Sequence, residues 1–373
     1  MSTIYDVAKA AGVSPKTVSR VLNGGDRVRE STVAAVTAAM TKLDYVPSSA
    51  ARTMRSNRSG LIGVVTNVLA GGYERPDQVG LPDLLLVQAI QQRLEPTGMT
   101  LLMADSGGKA KRVSKLLQTF AEHRVEGVLY VAPSHQKVRL PKTTGIKHTV
   151  IVNGFDNDKT LSVIPDDYTG QRKLIEQLIA AGHQRIAYLT LPTTLIATTE
   201  RTRAWQDALD AAGINPKPDW LRAGDPAAPS EGTGKQLQAN AIDHFLSLAE
   251  PPTVICTGND RMAMHVYGLL RSRGLKVPED ISVTGYDDHR LISETLYPQL
   301  TTMELPYHRM GEAAADLLSE LIDGHTPTHT APILIKGSLR WRDSVSTHAP
   351  SFQPLDSTTQ TTENTRERST SPQ

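Results

Sequence analysis

The sequence predicts an α/β chain: a small helical module at the N-terminus, then a two-lobed body of parallel sheets flanked by helices. Three observations carry that expectation. The first 22 residues hold two short apolar stripes at helical spacing, separated by a glycine. From residue 61 onward, short β-branched runs alternate with amphipathic stretches, the pattern of parallel sheets covered on both faces. At 373 residues the chain is too long for one ordinary domain and comfortable for two or three.

Ile4, Val7, Ala8 and Ala11 form the first stripe, and Gly12 ends it. Ser14 is a good N-cap, Pro15 suits the first helical position, and Val18, Val21 and Leu22 continue the apolar face. Two helices joined at residues 11–13 make a helix-turn-helix pattern. A third helix is expected over 31–43, capped by Ser31, with Val33, Val36, Met40 and Leu43 inward and Tyr45-Val46-Pro47 as its stop. Residues 48–58 (SSAARTMRSNR) are small and basic, a linker able to become a short helix.

Strands are expected at 61–67, 99–105, 127–133, 148–154, 185–191, 253–259 and 281–287. Helices are expected at 84–95, 110–123, 169–181, 201–212, 234–248, 260–273 and 307–322. Two sheets suit this many strands better than one. Ligands in such folds bind where the carboxyl ends of strands meet the facing loops. Residues 346–373 contain 12 Ser/Thr and almost nothing to bury, so a disordered tail is expected; it has no leucine heptad. The domain division is therefore 1–47, a hinge at 48–58, a body at 60–345 and the tail.

Hydrophobic residues make up 39% of the chain and charged residues 21%, an ordinary globular balance. The net charge of +1 conceals an asymmetry. Residues 1–58 carry nine Lys/Arg against four Asp/Glu, leaving the remainder at −4. A basic end on a mildly acidic body suggests a polyanionic partner. The single cysteine, Cys256, excludes an intrachain disulfide and agrees with a reducing cytoplasm. There is no 18-residue apolar run, and MSTIYDVAKAAGV lacks the basic flank and apolar core of a signal peptide, so no membrane partner is expected.

Enzyme chemistry finds little support. Residues 232–236 (GTGKQ) lack the spacing and the Ser/Thr of a phosphate-binding loop. No G-x-S-x-G elbow and no paired His/Cys spacing occurs, so neither a cofactor nor a metal is expected. A sugar-metabolising enzyme with an appended headpiece, or a transport-type sugar-binding protein, stands as the rival reading.

A helix presented to the major groove needs polar side chains near its N-terminus and a cation able to bridge two acceptors on a guanine edge. Residues 14–23 provide this, with Lys16, Thr17, Ser19, Arg20 and Asn23 outward. The stretches IYDVAKAAGVSPKTVSRVLNG, VRESTV and LDYVPSSAARTM resemble the headpiece and hinge of the lac repressor (LacI/GalR) family, and the similarity runs to about residue 340. That resemblance implies a cytoplasmic, nucleoid-associated transcriptional repressor. It would bind a double-stranded DNA operator as a homodimer, with a small sugar effector controlling the affinity. By the same resemblance, Pro15 and Lys16 set operator choice and Arg20 reads guanine. Tyr5, Ser14, Thr17, Ser19 and Asn23 hold phosphates or orient the helix. The hinge around Ala51 enters the minor groove with Met54 as its wedge, where the family usually has leucine.

A neutral sugar offers many hydroxyls and one apolar face, so its site needs forked donors, acceptors and an apolar floor. Arg201, Asn259 and Asp287 sit at strand ends of the body. The resemblance implies that these three line the pocket. Asn153 would stand where many members have an aspartate, and Tyr307 would floor the site. Arg203 competes with Arg201, but Ala204 fits the family's small residue three positions after the arginine.

Asp288 reads as a loop acceptor, Trp205 as helix packing, Cys256 as core, and His183 as part of a helix-ending turn. VIPDDYTGQ, LPTTLIATTERTRAW, ICTGNDRMA and LTTMELPYHRMG look closest to sucrose-operon repressors of the family, implying a non-phosphorylated disaccharide such as sucrose. The resemblance also implies lobes at 60–162 with 303–325 and 163–302 with 326–345, and dimer contacts near 84–95 and 260–273. The loop 68–83 is longer than usual in the family. Induction and co-repression both remain open.

Overall fold

The computed structural model describes residues 2–22, 28–46, 58–66, 81–107, 109–325, 327 and 331–347. Asn23, Ala51 and Met54, the hinge up to residue 57, Asn67 with positions 68–80 of the long loop, and the tail from 348 lie outside them. Among the described residues, no helix is long and apolar enough to cross a membrane.

The N-terminal module consists of α1 (Ile4–Ala10), α2 (Pro15–Leu22) and α3 (Glu30–Lys42). Thr3 and Asp6 close a capping box on α1, satisfying two of its otherwise unpaired backbone N–H groups. Gly12 ends the helix in the left-handed region at φ +66°, where a side chain would be strained. Val7, Ala8, Val18, Val36 and Ala39 form the small core, with Met40, Leu43 and Tyr45 around it. Val33, expected inward, is 39% exposed. At 13 residues α3 is longer than the seven and eight of its partners, so its first turn is left uncovered.

The first lobe runs β1 (Leu61–Thr66), α4 (Leu81–Leu94), β2 (Thr100–Asp105), α5 (Ala110–Glu122), β3 (Gly127–Lys137), β4 (Thr149–Phe155) and β5 (Ser162–Pro165). The second runs α6 (Asp167–Ala180), β6 (Ile186–Thr190), α7 (Ile196–Ala211), β7 (Leu221–Ala223), α8 (Gly234–Ser247), β8 (Val254–Thr257), α9 (Asp260–Ser272), β9 (Ser282–Asp287), α10 (Arg290–Ser293) and β10 (Thr301–Glu304). The chain then returns for α11 (Tyr307–Ile322) and β11 (Ile333–Ile335) and ends its last crossing in β12 (Leu339–Arg340). One sheet is ordered β11-β5-β4-β3-β1-β2, all parallel. The other is β12-β10-β9-β8-β6-β7, with only β12 antiparallel.

The first sheet is packed on both faces. Leu86, Ile90 and Leu94 of α4 and Met310, Ala314 and Leu318 of α11 cover one side; Val113, Leu117 and Phe120 of α5 cover the other. Gly311 lets α11 approach closely, since a Cβ there would stand 2.5 Å from the Leu86 carbonyl oxygen. The second lobe buries Leu174, Trp205, Leu209, Phe245, Val266 and Leu270 against its own sheet. Each fully buried side chain of this size contributes about 1.5–3 kcal/mol, which is why the lobes hold together around separate cores.

Every strand and helix expected in the body is present. Missing from the sequence reading were β5, β7, β10, β11, β12 and the short helix α10, two to four residues each, too short to establish a periodicity. The strands move the lobe boundaries. Residues 163–165 and 333–335 belong to the first sheet, whereas 301–304 and 339–340 belong to the second. The crossings are set by backbone pairing. The Asp166 N–H donates to the Ile335 carbonyl at 2.9 Å, and Glu304 N–H donates to the Ser338 carbonyl at 2.9 Å. Gly337 permits that approach, because a Cβ there would sit on the Glu304 carbonyl oxygen.

Candidate nucleic-acid and effector sites

In the N-terminal module, α2 buries Val18 and half-buries Val21 and Leu22, which orients the rest of the helix. Lys16 and Arg20, four residues apart, are both exposed and share a face. Ser14 Oγ accepts from the Thr17 N–H at 3.1 Å and pairs with its hydroxyl at 2.9 Å, fixing the start of the helix. Ser19 is half-buried, as is Pro15 at the first helical position. Tyr5 projects from α1 with 72% of its surface exposed. Two exposed cations and short hydroxyls beside a helix N-terminus form a surface suited to phosphates and guanine edges.

The body has its polar centre at the carboxyl ends of the strands, around a charge that sequence reasoning did not single out. Asp167, the first residue of α6, is fully buried and acts as a hub. Its Oδ1 accepts from Arg201 Nε at 2.6 Å, and its Oδ2 pairs with His135 Nδ1 at 2.6 Å. His135 comes from β3 of the first lobe, while Arg201 comes from α7 of the second. Burial alone would raise the Asp167 carboxyl, but the Arg201 charge and the His135 bond hold it below the usual carboxylate range.

Arg201 is 2% exposed. Its Nη1 donates to the Gly258 carbonyl at 2.9 Å, and its guanidinium lies 3.4 Å over the Tyr286 ring. Burial opposes its charge, yet the neighbouring Asp167 keeps it firmly protonated. Arg203 instead points outward to Glu200 and stacks 4.6 Å from the Tyr168 ring.

Arg201 gathers two other expected residues around it. Asn259 follows Gly258 and caps α9, its side-chain oxygen accepting from the Met262 N–H at 2.8 Å, so the amide NH₂ remains for other work. Asp287 follows Tyr286 at the end of β9 and has a positive φ of 125°. Burial pushes its carboxyl well above the ordinary range, and the Asp260 carboxylate adds to the effect. Asp260 is itself enclosed, accepting from the Thr302 hydroxyl and the His289 N–H at 2.7 Å.

Asn153 lies on β4 of the first lobe, buried, at φ +60°, with its NH₂ donating to the Ala132 carbonyl at 3.3 Å. Tyr307 opens α11 just beyond a crossing and packs on the first-lobe core. Leu305, two residues earlier, donates its N–H to the Asp287 carbonyl at 3.1 Å, tying that crossing to the site.

Four further residues occupy structural positions. Asp288 accepts from Arg342 at 2.7 Å and from Ser293 at 3.0 Å. Trp205 is core, its Nε1 donating to the Ile186 carbonyl. His183 pairs with Thr253 Oγ1 and with the Ser346 carbonyl. Cys256 is core, its thiol pushed up to about 12 by burial.

Asp167 and His135 escaped the sequence reading because their pairing spans 32 residues and two lobes, which no local spacing records. The stretch VIPDDYTGQ was the available signal, but neither of its aspartates stood out. Chemically the centre offers an amide, a carboxyl and a fixed guanidinium. The His–Asp pair has no hydroxyl or thiol bonded to its free nitrogen among the described residues, and those residues hold no metal-binding cluster.

Comparison with known proteins agrees with this division of labour. Residues 3–48 match the family model described as bacterial regulatory proteins, lacI family, and residues 175–345 match a periplasmic binding protein-like domain. The chain is 32% identical over 327 residues to the HTH-type transcriptional repressor PurR of Aliivibrio fischeri, covering 86% of this chain and 92% of that protein. It is likewise 32% identical over 349 residues to the sucrose operon repressor of Escherichia coli, covering 91% and 100%. Among solved structures, the lac repressor dimer bound to operator and the anti-inducer ONPF superposes with a TM-score of 0.74 at 27% identity, over 92% of this chain and 99% of that one.

Proposed function

The chain belongs to the lacI family of bacterial regulatory proteins and is a DNA-binding transcriptional repressor, and on that premise we propose that a small neutral carbohydrate held between its lobes controls its grip on DNA. The effector class we favour is a non-phosphorylated disaccharide such as sucrose. One observation carries it. The positive charge of Arg201 is already met by buried Asp167, so the cleft presents donors and acceptors without committing that cation to a phosphate. Asp287, held toward its protonated form, can donate as well as accept, which suits hydroxyls. Full-length similarity to a sucrose operon repressor supports the same class.

The DNA end of the reading rests on two copies of α2. Arg20 bridges a guanine, Lys16 and Pro15 discriminate the neighbouring bases, and Tyr5, Ser14, Thr17 and Ser19 position the helix on phosphates. A homodimer would set the two helices one turn of DNA apart. Leu84 and Leu85 on α4 and Met264 on α9 are exposed apolar residues on the elements expected to pair, and Met103 on edge strand β2 is exposed as well. Asn153, Asn259, Asp287, Arg201 and Tyr307 form the effector side. We place the protein in the cytoplasm, on the nucleoid.

Coupling needs different affinities for the sugar in two states of the body. Three crossings bonded to one another hold the lobes together, and on this reading the lobes rotate about them. The exit of the hinge is pinned to the first lobe. Glu126 accepts from Arg58 Nε at 2.8 Å and from the Gly60 N–H at 2.7 Å, so a lobe rotation is passed to the DNA-binding end. A coupling of about 1–3 kcal/mol suffices for such a switch.

The test is calorimetry against sucrose, other disaccharides, ribose, hexose phosphates and purines, paired with operator-binding anisotropy. Heat with a neutral disaccharide and weakened operator binding is expected. Tighter binding would make the ligand a co-repressor, and heat only with phosphates or purines would remove the carbohydrate reading.

A further inference from the structure

Buried polar atoms almost always find a partner, and each exception calls for an explanation, a bound ligand being one. Such exceptions gather around the Asp167–Arg201 pair. His135 is 7% exposed, and its Nε2 has no hydrogen-bond partner among the described residues. Gln171, one helical turn along α6 from Asp167, has neither amide atom satisfied among them. The hydroxyl of Tyr188, close enough to feel the charges of both Arg201 and Asp167, is also without a partner there. The polar capacity collected at this point exceeds what the chain itself uses.

His135 is the best placed of the three. It stands on the first lobe near the end of β3, inside the register shift between Val131 and Gln136 and one residue before Gln136 pairs with Gly154. Phe155 meets its ring edge-on at 6.1 Å between centroids, and the bond to Asp167 fixes its rotation. Asp167 is in turn clamped by Arg201. We infer that His135 is an effector-reading residue whose Nε2 hydrogen-bonds a hydroxyl of the bound sugar, with Asp167 as the positioning group behind it.

The inference rests on the carbohydrate reading above and adds a specificity contact to it. An ionised Asp167 takes Nδ1 as a donor, leaving Nε2 as the ring atom that meets the ligand. Because the histidine belongs to the first lobe and its anchor to the second, a sugar gripped here is gripped across the cleft. Binding and lobe closure then share one chain of bonds, from Arg201 through Asp167 and His135 to the ligand.

The experiment separates reading from scaffolding. His135→Asn keeps an N–H that can donate to Asp167 and loses the nitrogen at the Nε2 position. Calorimetry of wild type and variant with sucrose and each monodeoxysucrose should show one deoxy sugar bound about tenfold more weakly by wild type. His135→Asn should bind sucrose about tenfold more weakly and no longer distinguish that deoxy sugar from sucrose. His135→Gln, whose amide reaches the Nε2 position, should restore part of the discrimination. Because each variant is compared with itself across sugars, lost stability cannot imitate the result. Unchanged sucrose affinity in His135→Asn, or the wild-type pattern of losses across all deoxy sugars, overturns the assignment of His135 alone. Absence of heat from wild type with any neutral sugar removes the carbohydrate reading, and this inference with it.

Discussion

Replacing Arg201 with methionine tests the centre of the body most directly. The side chain keeps its length but loses the bond to Asp167, the bond to the Gly258 carbonyl and the stacking on Tyr286. Asp167 stays behind, buried, with only His135 to answer its charge. Breaking a buried pair by removing one member costs about 3–5 kcal/mol, most of it the stranded charge. For a domain of this size the cost corresponds to a fall in melting temperature of about 10 °C. Effector-induced release from the operator should be abolished, while operator binding below the new transition persists, since α2 lies in a separate core.

The pH dependence has a definite sign. Asp167 is held below its unfolded value, so its contribution to stability is present above the ordinary carboxylate range and fades as the pH falls through its lowered value. The gap between wild type and Arg201→Met should therefore narrow in acid. Differential scanning calorimetry across pH, with Asp167→Asn and the double variant completing a cycle, measures each part. A variant melting within about 2 °C of wild type, or single costs that add without coupling, would refute the buried ion pair as the organiser of this site.

Arg20→Ala should weaken operator binding by about 1–3 kcal/mol and relax discrimination at one base pair, seen as a flattened affinity profile across operator variants by anisotropy. An equal loss on random duplex would make Arg20 a phosphate contact instead. Asp260 is pushed upward by burial, so the folded state holds a proton that the unfolded chain releases, and stability falls as the pH rises from the carboxylate range toward neutrality. Asp260→Asn should flatten that slope in thermal melts, and an unaltered slope would assign it to other groups. Cys256, buried with its thiol pushed up to about 12, should resist thiol reagents at neutral pH until the second lobe unfolds; rapid labelling of the native protein would contradict its place in the core.

Much of this molecule was legible from local pattern. The helix cap at Ser14, the helical stripe Val18–Val21–Leu22 and the β-branched runs of the body are short-range signals, and short-range physics forms them. The same locality explains why Arg201 rather than Arg203 turned inward: the small Ala204 and the apolar Trp205 beside it set the buried face of α7. Val33 departed from the pattern because coverage depends on the length of neighbouring helices, which its own spacing does not contain.

Read alone, the amino-acid order determined the α/β class, the helix-turn-helix with Lys16 and Arg20 outward, and the strand ends that carry Asn153, Asn259 and Asp287; Arg201, expected at a strand end, lies in α7 instead. Only the tertiary structure decided where the chain changes lobes, since strands of two to four residues exist through their neighbours' hydrogen bonds rather than their own periodicity. It also decided that Arg201 answers Asp167, and that His135 reaches Asp167 from the opposite lobe. Long-range electrostatics depends on distance in space, and distance in space is what a folded chain adds to its sequence.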